Sequence, residues 1–371
     1  MLSYNINIKI KIGKIIMFKA IRYIGSKQKV LNFLEDNLFC LLNKGDKFFE
    51  GFAGTGIVSQ FLAENKEDII ISGGDISVYS EIMFNILNIG IYNVSTELLN
   101  KFFTELDNTL LIEGICFNEF SENGSPETLS ESRNFFHSET GKTIDTYRFL
   151  VKKYLENNLI TQGQSKILLF YLLAYSCKMA NTTSVFGAFL KSPPKYEKLS
   201  IDYVNNINKN LEKISKLRNE SLFYLGDIVS NLKKIEKQNV IYLDPPYSTR
   251  RYETNYHILN FIMDLDFNKN QLKINSKTAQ PIFLNKNPFG KKKETEIIFA
   301  EMILEGVNKS NYLAISYNTD GLIKQEWLEN FCIINDLNLE TKKMAYKRFK
   351  SKKEVKNIDS LEEILWIIQK K

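Results

Sequence analysis

Apolar residues come in short unbroken runs at several points along the chain, and each run stops at a glycine, an acid or a polar turn. Phe48-Phe49 leads into Glu50-Gly51, and Ile69-Ile70-Ile71 into Ser72-Gly73-Gly74-Asp75. Val240-Ile241-Tyr242-Leu243 meets Asp244-Pro245-Pro246-Tyr247, and Tyr312-Leu313-Ala314-Ile315 meets Ser316-Tyr317-Asn318. Runs without polar alternation predict strands buried on both faces, as in the centre of a parallel sheet. Leu365-Trp366-Ile367-Ile368 predicts the last strand, whereas Asn5 to Ile12 alternates polar and apolar residues like an edge strand.

Between Asp75 and Asp227 the pattern changes to the helical period, as in Leu98, Leu99, Phe102, Phe103 and Leu106, and again in Ile167, Leu168, Tyr171, Leu172 and Tyr175. That interval is too long for one connection within a sheet. It predicts an α/β fold with a mainly helical insertion over 96–215, flanked by sheet-forming halves at 18–95 and 216–371, with 1–17 as an N-terminal extension. Ser121 to Thr128 and the polar run Asn134 to Lys142 are expected to be loops. The short aromatic segment Asn181 to Lys191 has two readings, a lining for a nucleic-acid cleft or a β-hairpin packing the insertion on the core.

Ligands of parallel sheets sit at the strands' carboxyl ends, where Asp244-Pro245-Pro246-Tyr247 stands. This motif suits methyl transfer to the amino group of a nucleobase. Such an amine is a poor nucleophile because its lone pair is delocalised into the ring, and an acceptor for each hydrogen pushes that lone pair towards the methyl. Pro245 and Pro246 lock φ and push their predecessors out of the helical region, so Asp244 and the Pro245 carbonyl are held side by side as two acceptors. Tyr247 offers a face for the base, worth roughly 1–3 kcal/mol per stacked base.

Upstream, Phe49-Glu50-Gly51-Phe52-Ala53-Gly54-Thr55-Gly56 reads as a strand, a glycine turn and a helix start. Gly51, Gly54 and Gly56 let backbone approach a ligand, but their spacing is not that of a dinucleotide fold. Asp75, ending the next strand, is placed as an acid that commonly holds ribose hydroxyls. Tyr224-Leu225-Gly226-Asp227 marks a further strand end; Asp227 reads either as a cofactor contact or as a helix N-cap.

The order Tyr23-Ile24-Gly25-Ser26-Lys27, then the glycine turn, then Asp-Pro-Pro-Tyr resembles the Dam-like family of N6-adenine-specific DNA methyltransferases. The resemblance covers about residues 18–90 and 220–371. Ser248-Thr249-Arg250-Arg251-Tyr252 and Asn255-Tyr256-His257-Ile258-Leu259 look like its restriction-modification branch. The family usually has an aromatic followed by Ala-Gly-Gly-Lys where this chain has Tyr23-Ile24-Gly25-Ser26-Lys27. The resemblance implies a Rossmann-like methyltransferase sheet, S-adenosylmethionine as methyl donor, and adenine extruded from double-stranded DNA and methylated in one direct displacement. It carries cofactor contacts to Tyr23, Lys27, Asp75 and Asp244, with Lys27 as partner of the cofactor's carboxylate. It also places the specificity segment in the insertion. Phe49, Gly51, Gly54, Gly56 and Asp227 complete the expected cofactor site; Asp244, Pro245, Pro246 and Tyr247 form the catalytic set. The resemblance admits a separate cognate restriction endonuclease and leaves the oligomeric state open.

Composition agrees without deciding. The 49 basic and 43 acidic residues leave a charge of +6 and a pI near 8.8, so nucleic acid is allowed rather than demanded. Arg250 and Arg251, beside Tyr247, and Lys191 are the candidate DNA contacts, since a loop that holds a base also meets its backbone. Cys40, Cys116, Cys177 and Cys332 show no metal spacing and none follows a proline, which disfavours a zinc site and thiolate attack on cytosine C5 and fits a reducing cytoplasm. No run is long enough to span a membrane as a helix. His257 reads as a packed histidine rather than a base. Rival functions are N4-cytosine or RNA methylation, and DNA binding without catalysis.

Overall fold

A computed structural model describes residues 27–371 except 128, 184, 212–213, 215–218, 248–250, 268–272, 277–279, 283–286 and 347–360. The expected edge strand at Asn5 to Ile12 lies outside these residues, as do Tyr23 and Arg250. The strands are β1 (Lys47–Gly51), β2 (Ile70–Asp75), β3 (Leu222–Leu225), β4 (Gln238–Leu243), β5 (Ser310–Asn318), β6 (Leu337–Tyr346) and β7 (Leu361–Lys370), in the order β3-β2-β1-β4-β5-β7-β6. The first five are parallel, while β7 runs antiparallel to β5 and β6 antiparallel to β7.

The unbroken apolar runs have a direct cause. Successive strand residues point to opposite faces, and both faces are covered. Phe48, Val240 and Tyr242 enter one buried cluster, whereas Phe49, Ile241 and Leu243 enter the other. The first cluster packs against the helices Leu31–Asn37, Ile57–Asn65 and Val78–Phe84; the second packs against Ile228–Lys234, Lys292–Lys309 and Gln325–Ile334.

Helices Thr96–Asn108, Ser138–Glu156, Gln162–Met179 and Ile201–Asn210 fill the interval between β2 and β3. Their apolar faces are continuous with the first cluster: Phe102 packs on Tyr147 and Tyr154 at 4.8 and 5.2 Å, and Tyr147 donates to the Leu168 carbonyl. The loop expected over Asn134 to Lys142 ends early. His137 caps a helix by accepting from the Glu139 N–H at 3.1 Å, so Ser138 to Lys142 are helical; a polar first turn hid the helix start. The described residues of Asn181 to Lys191 form no strand, which removes the hairpin. Instead the Phe186 N–H donates to the Asn255 carbonyl at 2.9 Å, and Gln280 Nε2 to the Gly187 carbonyl at 2.6 Å. This segment therefore rests on the chain just beyond Asp-Pro-Pro-Tyr. Among the described residues no helix is long and apolar enough to cross a membrane.

Strand order reverses between β1 and β4, and the registers bring the key ends level: Gly51 pairs with Gly74 on one side and with Leu243 on the other. Phe52, Asp75 and Asp244 thus emerge together at the switch point, where a ligand crevice opens. Backbone bonds stitch the ends: Asp244 N–H to the Gly51 carbonyl, Ala53 N–H to that of Gly74, and Gly226 N–H to that of Asp75. A Cβ on Gly51 would lie 2.5 Å from Leu243 Cδ2 and 2.6 Å from Ile228 Cδ1, both in fully buried side chains. Gly51→Ala is expected to lower the unfolding free energy by about 1–3 kcal/mol, the usual cost of overpacking, as read from the urea midpoint. A parental midpoint would show that these side chains have room to move.

Candidate active site

Three strand ends and the glycine turn build one cleft. The turn after β1 uses left-handed backbone at Gly54 and Gly56, with φ of 54° and 66°, and also at Phe52, with φ of 58°. A bulky residue there is strained, at a cost of order 1–3 kcal/mol. Phe52 is held by an edge-on contact with Phe289 at 5.7 Å. Asp75 locks the turn from the neighbouring strand, accepting from Gly54 N–H on Oδ2 at 3.0 Å and from Ser77 N–H on Oδ1 at 2.9 Å. Burial raises its pKa and those two N–H groups offset part of the rise. An ionised carboxylate has about four acceptor positions, so Asp75 keeps room for hydroxyl groups of a ligand.

Beneath the turn, Glu50 is wholly buried in β1 and accepts from the Ser59 N–H at 2.9 Å, anchoring the first turn of helix Ile57–Asn65. Burial pushes its pKa up to about 7, with the Ser59 bond opposing.

Asp244, at the end of β4, does not stand alone. Lys27 Nζ lies 2.9 Å from Asp244 Oδ1 and 2.6 Å from Glu363 Oε1, and Ser316 Oγ donates to that same Glu363 oxygen at 2.7 Å. Burial lowers the Lys27 pKa, but Asp244, Tyr242 and Glu363 raise it further, leaving it well above its ordinary value. Burial raises Asp244 to about 6; Lys27 opposes the rise and Glu363 adds to it.

The cleft is part-open to solvent and is lined mainly by apolar and aromatic side chains, with a few acids at its ends. Asp75, Asp227, Asp244, Pro245, Pro246 and Tyr247 all line it. At one end Asp75 adjoins Ile76, whose apolar side chain is 62% exposed on the cleft wall. Spare acceptors beside an open apolar face fit a nucleoside, with hydroxyls on one and a ring on the other. Asp227 is a helix N-cap, accepting from the Ser230 N–H at 2.9 Å; burial raises its pKa, and this bond more than compensates, so the net shift is downward.

The other expected residues lie elsewhere. Phe49 is wholly inside the core with its ring edge-on to Tyr224, and Gly51, Gly54 and Gly56 shape the turn without lining the cleft. Lys27 sits behind Asp244 rather than on the wall. Lys191 is exposed and Arg251 half-buried. His257 Nδ1 lies 2.9 Å from the Thr254 carbonyl and burial lowers its pKa to about 4, the state of a packed, neutral imidazole. Sequence reasoning missed Glu50, Ser316 and Glu363. The available signal was an acid inside a strand otherwise buried on both faces, at Phe49-Glu50-Gly51 and Glu362-Glu363-Ile364.

A sheet in this strand order, with a cleft at its switch point and Asp-Pro-Pro-Tyr on the wall, is that of a Rossmann-like methyltransferase. Residues 23–280 match the profile of the D12 class N6 adenine-specific DNA methyltransferases, and the chain belongs to that family. It is similar to the type II methyltransferase M.NlaIII of Neisseria lactamica, 29% identical over 348 residues that cover 89% of this chain and 93% of that one. The type II methyltransferase M.CviAII of Paramecium bursaria Chlorella virus 1 is 26% identical, over 82% of this chain and 85% of its own. M.FokI of Planomicrobium okeanokoites is 28% identical over 94% of this chain, which spans only 52% of that relative's length.

The buried Glu50 yields a stability prediction. Its folded pKa of about 7 lies above the ordinary glutamate value of 4.5, so its contribution is full below 4.5 and lost as pH rises through about 7. Glu50→Gln keeps an acceptor for Ser59 and carries no charge. It is expected to match the parent in urea unfolding at pH 4 and to exceed it by about 3 kcal/mol at pH 8; equal stabilities at both pH values would contradict a raised Glu50.

Proposed function

We propose that this chain is a site-specific adenine DNA methyltransferase, EC 2.1.1.72, acting in the cytoplasm as the modification half of a restriction-modification pair, on double-stranded DNA and with S-adenosylmethionine. The reading rests on one observation: Asp244 and the diproline end β4 on the wall of the same cleft that holds Asp75, with the Tyr247 ring beside them. The relatives' designation as type II methyltransferases supports the pairing with a separate endonuclease.

Residues 18–95 and 216–371 form the methyltransferase halves and 96–215 the target-recognition insertion, with 1–17 as an extension. Asp75 takes ribose hydroxyls and Asp227 lies near the cofactor's adenine. Tyr23 and the third N–H of Lys27, the two others being engaged by Asp244 and Glu363, serve the methionine end. S-Adenosylmethionine supplies an electrophilic methyl group on a sulfonium, passed to the adenine nitrogen in one direct displacement. The target amine is paired inside the duplex, so the base must leave the stack at a cost of a few kcal/mol. Tyr247 offsets part of that cost by stacking. Asp244 and the Pro245 carbonyl accept the two amine hydrogens, and the released proton passes to Asp244 or water. Arg250, Arg251 and Lys191 meet DNA phosphates. An aspartate at the first motif position favours adenine over N4-cytosine.

Asp244→Ala leaves the Lys27–Glu363 pair in place, so the variant is expected to fold, by circular dichroism, and to lose roughly 10²–10⁴-fold in turnover at saturating labelled S-adenosylmethionine. Parental turnover would end this reading. Because Asp244 is a strong acceptor, able to take a proton, only when ionised, kcat/KM is expected to fall as pH drops through about 6; a flat profile between pH 5 and 8 would contradict it.

A further inference from the structure

Glu363 lies on β7, beyond the matched span of residues 23–280 and 336 positions from Lys27 in the chain, yet its carboxylate is buried against the ammonium that holds Asp244. We propose that Glu363 is a positioning residue for methyl transfer, acting through Lys27 and anchored by Ser316 to keep Asp244 oriented and strongly accepting. This rests on the reading of Asp244 as acceptor for the adenine amine.

The geometry explains both effects. Lys27 takes Asp244 Oδ1, which fixes a carboxylate that itself lines the cleft. If Lys27 and Asp244 were alone they would form a neutral pair, and the ammonium would draw off the electron density that an acceptor needs. Glu363 shares that ammonium at 2.6 Å, so the three groups carry one net negative charge, and basicity returns to Asp244. Ser316 Oγ, wholly buried on β5, donates to Glu363 Oε1 and fixes the strength of that competition. The remaining titratable groups facing Asp244 are Glu50 from β1 and Tyr242 from β4. Asp244 helps to raise the Glu50 pKa, which burial already pushes up to about 7, so Glu50 is neutral where Asp244 titrates; the Tyr242 phenol is held neutral by burial. A buried ion cluster is a weak source of stability, since apolar side chains of similar volume serve as well or better. Its placement under the reacting carboxylate is accounted for by the reaction.

The test uses the full chain labelled with ¹³Cγ-aspartate. The Asp244 resonance is assigned by its loss in Asp244→Asn and titrated in cofactor-free protein, alongside pH profiles of kcat/KM with labelled S-adenosylmethionine and unmethylated duplex DNA. In Glu363→Gln the Asp244 midpoint and the acid limb are expected to move together to lower pH by about one unit or more, the scale set by a charge within a few ångströms. Turnover at neutral pH is expected to fall while cofactor affinity holds. In Ser316→Ala, Glu363 loses a donor and draws Lys27 more strongly, so both midpoints are expected to move the other way. A folded Glu363→Gln protein, shown by circular dichroism and its melting temperature, with unmoved midpoints would overturn the proposal. Should Glu363→Gln not fold, unmoved midpoints in Ser316→Ala would do the same. The resonance reports on Asp244 whether or not that residue accepts from adenine, so failure here is distinct from failure of the Asp244→Ala test.

Discussion

The Lys27 ammonium buried between Asp244 and Glu363 is the interaction on which the rest of the site depends. It ties together the start of the first helix, the end of β4 and the last strand in one cluster. Taking either carboxylate into the sheet without a partner would cost several kcal/mol. With the ammonium shared, neither carboxylate is fully neutralised. Asp244 is therefore fixed in place, and burial holds its pKa up at about 6, with Lys27 opposing the rise and Glu363 adding to it.

A second constraint is geometric. The registers that set Gly51 level with Gly74 and Leu243 deliver Phe52, Asp75 and Asp244 to one edge, so the Asp75 end and the Asp244 end of the cleft are fixed by the same strand pairings. The strained backbone at Phe52 is held from two sides, by Asp75 on the neighbouring N–H of Gly54 and by the Phe289 ring. The segment around Phe186 and Gly187, bonded to Asn255 and Gln280, connects the interval between β2 and β3 to the chain just after Tyr247.

Much of this was legible in the sequence because both-face burial leaves a plain mark. The runs ending at Gly51, Asp75 and Asp244 are strands, and the diproline does stand on the cleft wall. The helical interval was equally visible in its period. What was less legible depended on contacts between distant segments or on a weak local pattern. Ser138 begins a helix with a polar first turn, so its start looked like loop until the apolar stripe of Ile144, Tyr147 and Leu150 took over. Asp227 carried two readings, and the structure shows that the cap is made while the residue also lines the cleft. Glu363 and Ser316 meet Lys27 only through the pairing of β5 with β7, and no spacing along the chain encodes that encounter.

The account's central claim is the identity of the atom that receives the methyl group. The most direct measurement is incubation of the protein with labelled S-adenosylmethionine and unmethylated duplex DNA, followed by digestion to nucleosides and mass spectrometry. The account predicts label in N6-methyladenine. Label in N4-methylcytosine, or no labelled nucleoside from protein shown to bind the cofactor, would contradict it.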